Sequence, residues 1–302
     1  MRRNVFDLQS NGTTVGREIL AGITTFLTLA YILAVNPTML AEAGMPQGGV
    51  FTATVLASAI ATIVMAFAAN LPIALAPGMG LNAFFAFSVV IGMGYSWQLA
   101  LTAVFCEGVL FIILSLFNVR EAIIKAIPDN LKKAVAVGIG LFIALIGFKN
   151  AGIVIGDQST LITLGDLTSG SALLAIVGLI ISIVLYAWKT PGSILIGILV
   201  TTIIGIPLGV TNTGGFSSLL SLPAAPLFWA FDFSAIFSFQ FFTVFFTFLF
   251  VDIFDTVGTL VGVTTQAGLI GKNSEIPRVK QALLADAVGT VAGAMLGTST
   301  VT

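Results

Sequence analysis

The sequence predicts an all-α membrane protein of many crossings. Of its 302 residues 57% are hydrophobic and only 8% are charged, and apolar runs of crossing length follow one another to its end. Soluble domains carry about 25% charged residues. Twelve basic and thirteen acidic side chains cannot cover a water-facing globule of 31.4 kDa, which argues against a cytosolic enzyme. A net charge of −1, with basic residues scattered along the chain, leaves no electrostatic footprint for nucleic acid. One cysteine, Cys106, rules out an internal disulfide, and the lack of any histidine removes the usual zinc and haem ligand sets. No metal or cofactor is expected, and proton chemistry falls to carboxylates.

Taken in order, residues 1–18 form a short polar lead. No small-residue cleavage site follows the apolar run that begins near Ile19, so that run is expected to remain as a span. Runs of about 17–25 residues predict spans at 18–36, 50–69, 72–93, 97–117, 134–151, 171–188, 193–211, 238–264 and 281–297, then the start of a tenth. If each crosses, eleven of the twelve basic residues fall on one side, and only Lys149 falls on the other with Glu42, Asp157, Asp166 and Asp232. Positive loops stay inside. The N-terminus and the loops 118–133 and 266–280 are therefore expected in the cytoplasm, and the loops 152–170 and 212–234 outside.

A faint repeat runs through the chain. ASAIAT at 57–62 matches ADAVGT at 285–290, and TTFLTLAYILAVN at 24–36 matches TVFFTFLFVDIFD at 243–255. An odd number of spans separates the copies, so they run in opposite directions, the inverted repeat of many secondary transporters.

Candidate functional residues cluster at interruptions and at buried charge. In LPIALAPGMGLNAFFAF, Pro72, Pro77, Gly78 and Gly80 preclude one regular helix. Backbone freed at membrane depth is tolerated only when buried in protein or lining a polar cavity. The break thus predicts a site, with Gly80, Asn82, Phe84 and Phe85 in the first turns of the helix that follows; a proline kink is the competing reading. Asp252 and Asp255 lie three apart at mid-span, one turn apart on nearly one face, where acids usually mark substrate or proton pathways. Interhelical hydrogen bonding is the alternative. Glu107 and Asp286 are further intramembrane acids, for which structural pairing competes with function. Asn36, before Pro37 at the expected end of the first span, takes the place of Asp255 in the repeat, or else caps the helix. The last residues, GTSTVT, offer Thr298, Ser299 and Thr300 as partners for the broken third span.

Four segments in order, AYILAVNPTML at 30–40, LAPGMGLNAFFAF at 75–87, FLFVDIFDTVGTL at 248–260 and ADAVGTVAGAMLGTSTVT at 285–302, resemble the AzgA-like purine permeases of the nucleobase–ascorbate transporter superfamily. The resemblance covers the whole chain. It implies a uracil-permease-like fold of seven plus seven inverted spans, broken at the third and tenth, with a core and a gate domain. Residues 1–152 then hold spans one to five, 153–237 the gate spans six and seven, and 238–302 the start of the second repeat. It also implies proton-coupled import of hypoxanthine, guanine or adenine in the inner membrane, and a homodimer. The resemblance carries substrate contact to Asn82, Asp255 and Asp252, with Asp255 and Asp252 carrying the proton, and the reading of the break and of the last residues adds Phe84, Phe85, Gly80, Thr298, Ser299 and Thr300 as candidate contacts. The family pattern continues into a tenth-span glutamate and four more spans. The chain is therefore expected to be a C-terminally truncated form whose third-span break lacks its facing partner. Rival readings are an anion permease of similar fold, which two mid-membrane acids oppose, and an intramembrane enzyme using Asp252 and Asp255.

Overall fold

The computed structural model describes residues 6, 8, 12–117, 128–211, 222–268 and 278–302. Among them ten helices follow one another: α1 (Val15–Leu29), α2 (Ile32–Glu42), α3 (Gln47–Val64), α4 (Met79–Ala83), α5 (Trp97–Leu116), α6 (Asp129–Asn150), α7 (Gly170–Ala187), α8 (Ser193–Gly205), α9 (Phe239–Gln266) and α10 (Val279–Leu296). π-Helical turns extend α3 over Met65–Ala69 and α4 over Phe84–Gly92. Six stretches are long and apolar enough to cross a membrane: Val15–Glu42, Gln47–Ala69, Trp97–Leu116, Gly170–Ala187, Phe239–Thr264 and Val279–Leu296. The protein is an integral membrane protein.

The helices depart from the expected spans in informative places. Asn36-Pro37 does not end the first span; the chain turns at Ala30 and Tyr31, and α2 runs on to Glu42 with Pro37 inside it. Proline forfeits one backbone bond there, and the Asn36 side chain before it is fully buried and hydrogen-bonded to the rest of the fold. The third span is a helix only from Met79 onward. The seventh stops at Gly205 rather than at 211, because Ile206 precedes a proline and the chain folds back so that Val210 and Thr211 donate to the Gly205 carbonyl. The 152–170 segment holds a hairpin that hydropathy did not indicate, β1 (Val154–Asp157) against β2 (Leu161–Leu164), antiparallel with Val154 opposite Leu164. Arg2, Arg3, Arg120, Lys125 and Lys272, on which the expected topology partly rests, lie outside the described residues.

The chain forms two compact units. One comprises Met1–Glu18, Ile32–Gly140 and Pro223–Thr302. In it α10 lies against α3 and α5 around Ala57, Ala61, Met65, Phe111, Ile253, Val257, Leu283 and Val301. Small residues allow the approach: a methyl group on Gly289 would stand 2.7 Å from Ala61 Cβ, and one on Gly108 2.9 Å from Val291 Cγ2. Residues 223–233 cross the ends of these helices. Thr52 donates to the Ala224 carbonyl, Trp229 N–H to Met295 O and Asp232 N–H to Thr102 Oγ1, while Phe105 packs on the rings of Trp229 and Phe231. At the opposite helix ends Arg278 caps the Ala69 carbonyl and Lys280 the Leu116 carbonyl, where cations complement the helix C-terminus.

The other unit comprises Ile19–Tyr31 and Leu141–Leu222. Its centre is the α7–α8 pair, in which a side chain on Gly178 would strike Thr201 and one on Gly197 would overlap Ser182. A groove of about 390 Å³, lined by Leu174, Ser182, Thr201 and Thr211, opens along this pair. The Asp157 carboxylate closes the hairpin turn by accepting from the Ser159 and Thr160 backbone, and those bonds hold it below the usual carboxylate range.

Candidate functional site

α10 ends at Gly297, whose φ of 95° only glycine adopts easily and where any side chain would overlap Leu227. The chain leaves in extended form and runs antiparallel to the break in the third span, pairing Val301 with Pro77. Ala76 N–H donates to Thr302 O at 3.2 Å, Thr302 N–H to Ala76 O at 3.0 Å, and Gly78 N–H to Thr300 O at 3.0 Å. The expectation that the break lacks a facing partner is thus corrected. GTSTVT itself supplies one, because extended backbone offers the ladder bonds that an interrupted helix needs.

Asp255 lies against this crossing. A methyl group on Gly78 would stand 2.8 Å from Asp255 Oδ2 and 2.8 Å from Thr302 Oγ1, and the Thr302 hydroxyl lies 3.5 Å from the same carboxylate oxygen. Glycine at 78 is thus what lets the carboxylate reach the backbone. Asp255 is half-buried, as is Thr302, whereas Gly78 is buried. Thr300 is fully buried, and its hydroxyl has no hydrogen-bond partner among the described residues.

Asp252 goes elsewhere. It is fully buried, and the Thr256 hydroxyl lies 3.3 Å from Asp252 Oδ1 and 3.3 Å from each carboxylate oxygen of Asp286 on α10. Three residues of separation on α9 therefore put the two acids in different settings, one with Asp286 and one at the break. Glu107 is fully buried within α5.

Asn82 is fully buried too, and both ends of its amide are engaged. Its Nδ2 donates to Asn36 Oδ1 at 2.6 Å, and its Oδ1 accepts from the Ser299 hydroxyl. Asn36 in turn donates to Thr54 Oγ1 at 2.7 Å and Thr298 Oγ1 at 2.9 Å, and Thr54 donates to the Val50 carbonyl. Donors and acceptors match throughout this chain of bonds. It ties α2, α3, α4 and the terminal segment together, so Asn36, Asn82, Thr298 and Ser299 are turned toward one another. Asn36 and Asp255, equated by the repeat, flank the crossing: one reaches Asn82 and Thr298, the other Thr302 and the Gly78 backbone. Phe85 is core, 6.2 Å from the Phe248 ring, while half-buried Phe84 meets Phe248 edge-on at 5.1 Å. Gly80 lies buried in the first turn of α4. Hydropathy gives no sign of Thr256 or Thr302 as site residues, and Gly78 is marked in the sequence only as part of the break and not as a neighbour of Asp255. Among the described residues no group of three or more acids or cysteines could hold a metal ion.

A family model described as the permease family matches residues 16–302. The chain belongs to the permease family. Such a chain is a transporter rather than an enzyme. It is 50% identical over 299 residues to a putative permease of Methanocaldococcus jannaschii, covering 98% of this chain and 68% of that protein. It is 49% identical to a guanine/hypoxanthine permease of Bacillus subtilis, covering 99% and 70%, and 43% identical to an adenine permease of Escherichia coli, covering 100% and 68%. These permeases agree with the AzgA-like resemblance of the four motifs.

Proposed function

We propose that the protein carries purine nucleobases, hypoxanthine and guanine or adenine, across the cell membrane by proton symport. The observation that carries the proposal is the Asp255 carboxylate on the crossing of 76–78 with 300–302, in a chain about half identical to a guanine/hypoxanthine permease. A nucleobase presents a flat edge of N–H donors and ring acceptors. Asp255 accepts from its N–H groups, Thr300 and Thr302 offer hydroxyls, and Phe84 meets the ring face. Asn82 serves this site from behind, through Asn36 and Ser299.

The coupling proton travels with Asp255 and Asp252. The Thr256 hydroxyl has one proton to give, yet it stands between the Asp252 and Asp286 carboxylates. A proton shared within that trio satisfies all three groups at once, which supports a coupling role for Asp252. Alternating access moves a core domain, built around the crossing, against a gate domain in a seven-plus-seven inverted repeat. The like treatment of Leu75 by Thr62 and of Val301 by Thr290 supports that repeat. The caps of Arg278 and Lys280 on the Ala69 and Leu116 carbonyls support a cytoplasmic side for those helix ends, and hence a cytoplasmic N-terminus in the inner membrane.

Uptake of radiolabelled hypoxanthine, guanine and adenine by a host without purine permeases tests this reading. Accumulation of at least one, rising as external pH falls and collapsing with a protonophore, is expected. Uptake of none of the three rejects it.

A further inference from the structure

A two-stranded ribbon inside a membrane has two edges, and each edge exposes backbone groups that water cannot reach. In the ribbon formed by 75–78 and 300–302, Ala76 and Thr302 bond inward to each other. Their neighbours Leu75, Pro77 and Val301 must therefore turn their own groups outward, since bonding direction alternates along a strand. Pro77 has no N–H to lose at such a position. Leu75 and Val301 do, and each is met by a threonine. Thr62 Oγ1 accepts from Leu75 N–H at 3.0 Å and lies 3.3 Å from Leu75 O. Thr290 Oγ1 lies 3.1 Å from Val301 O and accepts from Val301 N–H at 3.3 Å.

Both threonines depart from the habit of threonines in this protein. Thr54, Thr201 and Thr264 return their hydroxyls to the carbonyl four residues back in their own helix. Thr62 and Thr290 reach out of their helices to an extended strand. They are also the last residues of ASAIAT and ADAVGT, so the repeat equates them, and the preceding pair, Ala61 and Gly289, meet where α3 and α10 cross. Likeness of sequence and likeness of bonding coincide at the two edges of one ribbon.

We infer that Thr62 and Thr290 are paired positioning residues, each sealing one edge of the ribbon and so fixing where Gly78, Thr300 and Thr302 stand relative to Asp255. Neither touches the substrate. The functional consequence rests on the purine-transport reading, while the geometric one does not.

The test compares Thr62→Val, Thr290→Val, Thr62→Ser and Thr290→Ser by two readouts. The first is backbone amide exchange over 74–80 and 298–302. The second is the KM and maximal rate of purine uptake at matched membrane amounts. Valine keeps the shape and loses the hydroxyl, so exchange in both segments and the uptake KM should each rise by about tenfold. Serine keeps the hydroxyl and should hold both near the unsubstituted values, which loss of packing alone would not. Should fully buried Thr290 refuse valine, half-buried Thr62 carries the same comparison. Unchanged exchange in the valine variants, raised exchange with unchanged uptake kinetics, or serine variants as impaired as valine would each overturn the inference. Raised exchange in a protein that takes up no purine would uphold the sealed ribbon and reject the transport reading.

Discussion

The two units bury different things. The unit built on α3, α5 and α10 has a polar interior, with Asn36, Thr54, Asn82, Glu107, Asp252, Asp286, Thr290, Thr298, Ser299 and Thr300 all buried. The unit of α7 and α8 buries Ala172, Leu174, Gly178, Ser193 and Gly197, and is knitted by glycine against hydroxyl. Burying polar groups is costly unless each finds a partner. A unit that carries so many is organised by its polar pairing and sensitive to single atoms, whereas one packed from small residues responds only to bulk. The proposed chemistry lies in the first unit.

That contrast can be broken most forcefully at Asp255. Asp255→Asn preserves size and hydrogen bonding but cannot titrate, so proton-driven purine accumulation should fall by at least about tenfold, with any remaining uptake independent of pH. Unaltered pH-dependent accumulation would remove Asp255 from the account. Gly78→Val comes next: its side chain would meet Asp255 Oδ2 and Thr302 Oγ1, and uptake KM should rise about tenfold for a displaced carboxylate. Across the contrast, Gly197→Leu should lower stability by about 1–3 kcal/mol through overpacking against Ser182. A thermal-melting assay would register that loss while the uptake KM stays put; a change in KM would place part of the site in the α7–α8 unit.

The smallest effect is expected at the hairpin. The folded-state pKa of Asp157 is depressed by its turn bonds. Its contribution is accordingly complete above the unfolded carboxylate value of about 3.9 and is lost only as pH falls through the lower folded value. Asp157→Asn should leave purine uptake unchanged from about pH 5 to 8. An altered uptake profile there would give the hairpin a role in transport.

Much of the first unit was legible in the sequence because its breaks are written in proline and glycine and its acids stand out against apolar neighbours. The interrupted segment and Asp255 at mid-span are each of this kind, while their lying together was implied only by the family resemblance. Which acid faces which partner was not legible. Helical spacing placed Asp255 and Thr256 near Asp252 on α9, but only the packing of α10 brings Asp286 to Asp252 and Thr256, and only the terminal segment brings Thr302 to Asp255. Asn82 reads as a ligand contact because an amide in an apolar run has no evident partner, and its partners lie 46 and 217 residues away. The hairpin at 154–164 escaped because short alternating strands carry little hydropathy signal beside membrane helices.

The most direct test asks where purine protects the protein. Two variants, Thr302→Cys and Thr201→Cys, each in a Cys106→Ser background, would be alkylated in membranes with and without hypoxanthine, guanine or adenine. The account predicts saturable slowing of alkylation at position 302, beside Asp255, and none at position 201 in the groove of the α7–α8 pair. Protection at 201 with none at 302 would contradict it.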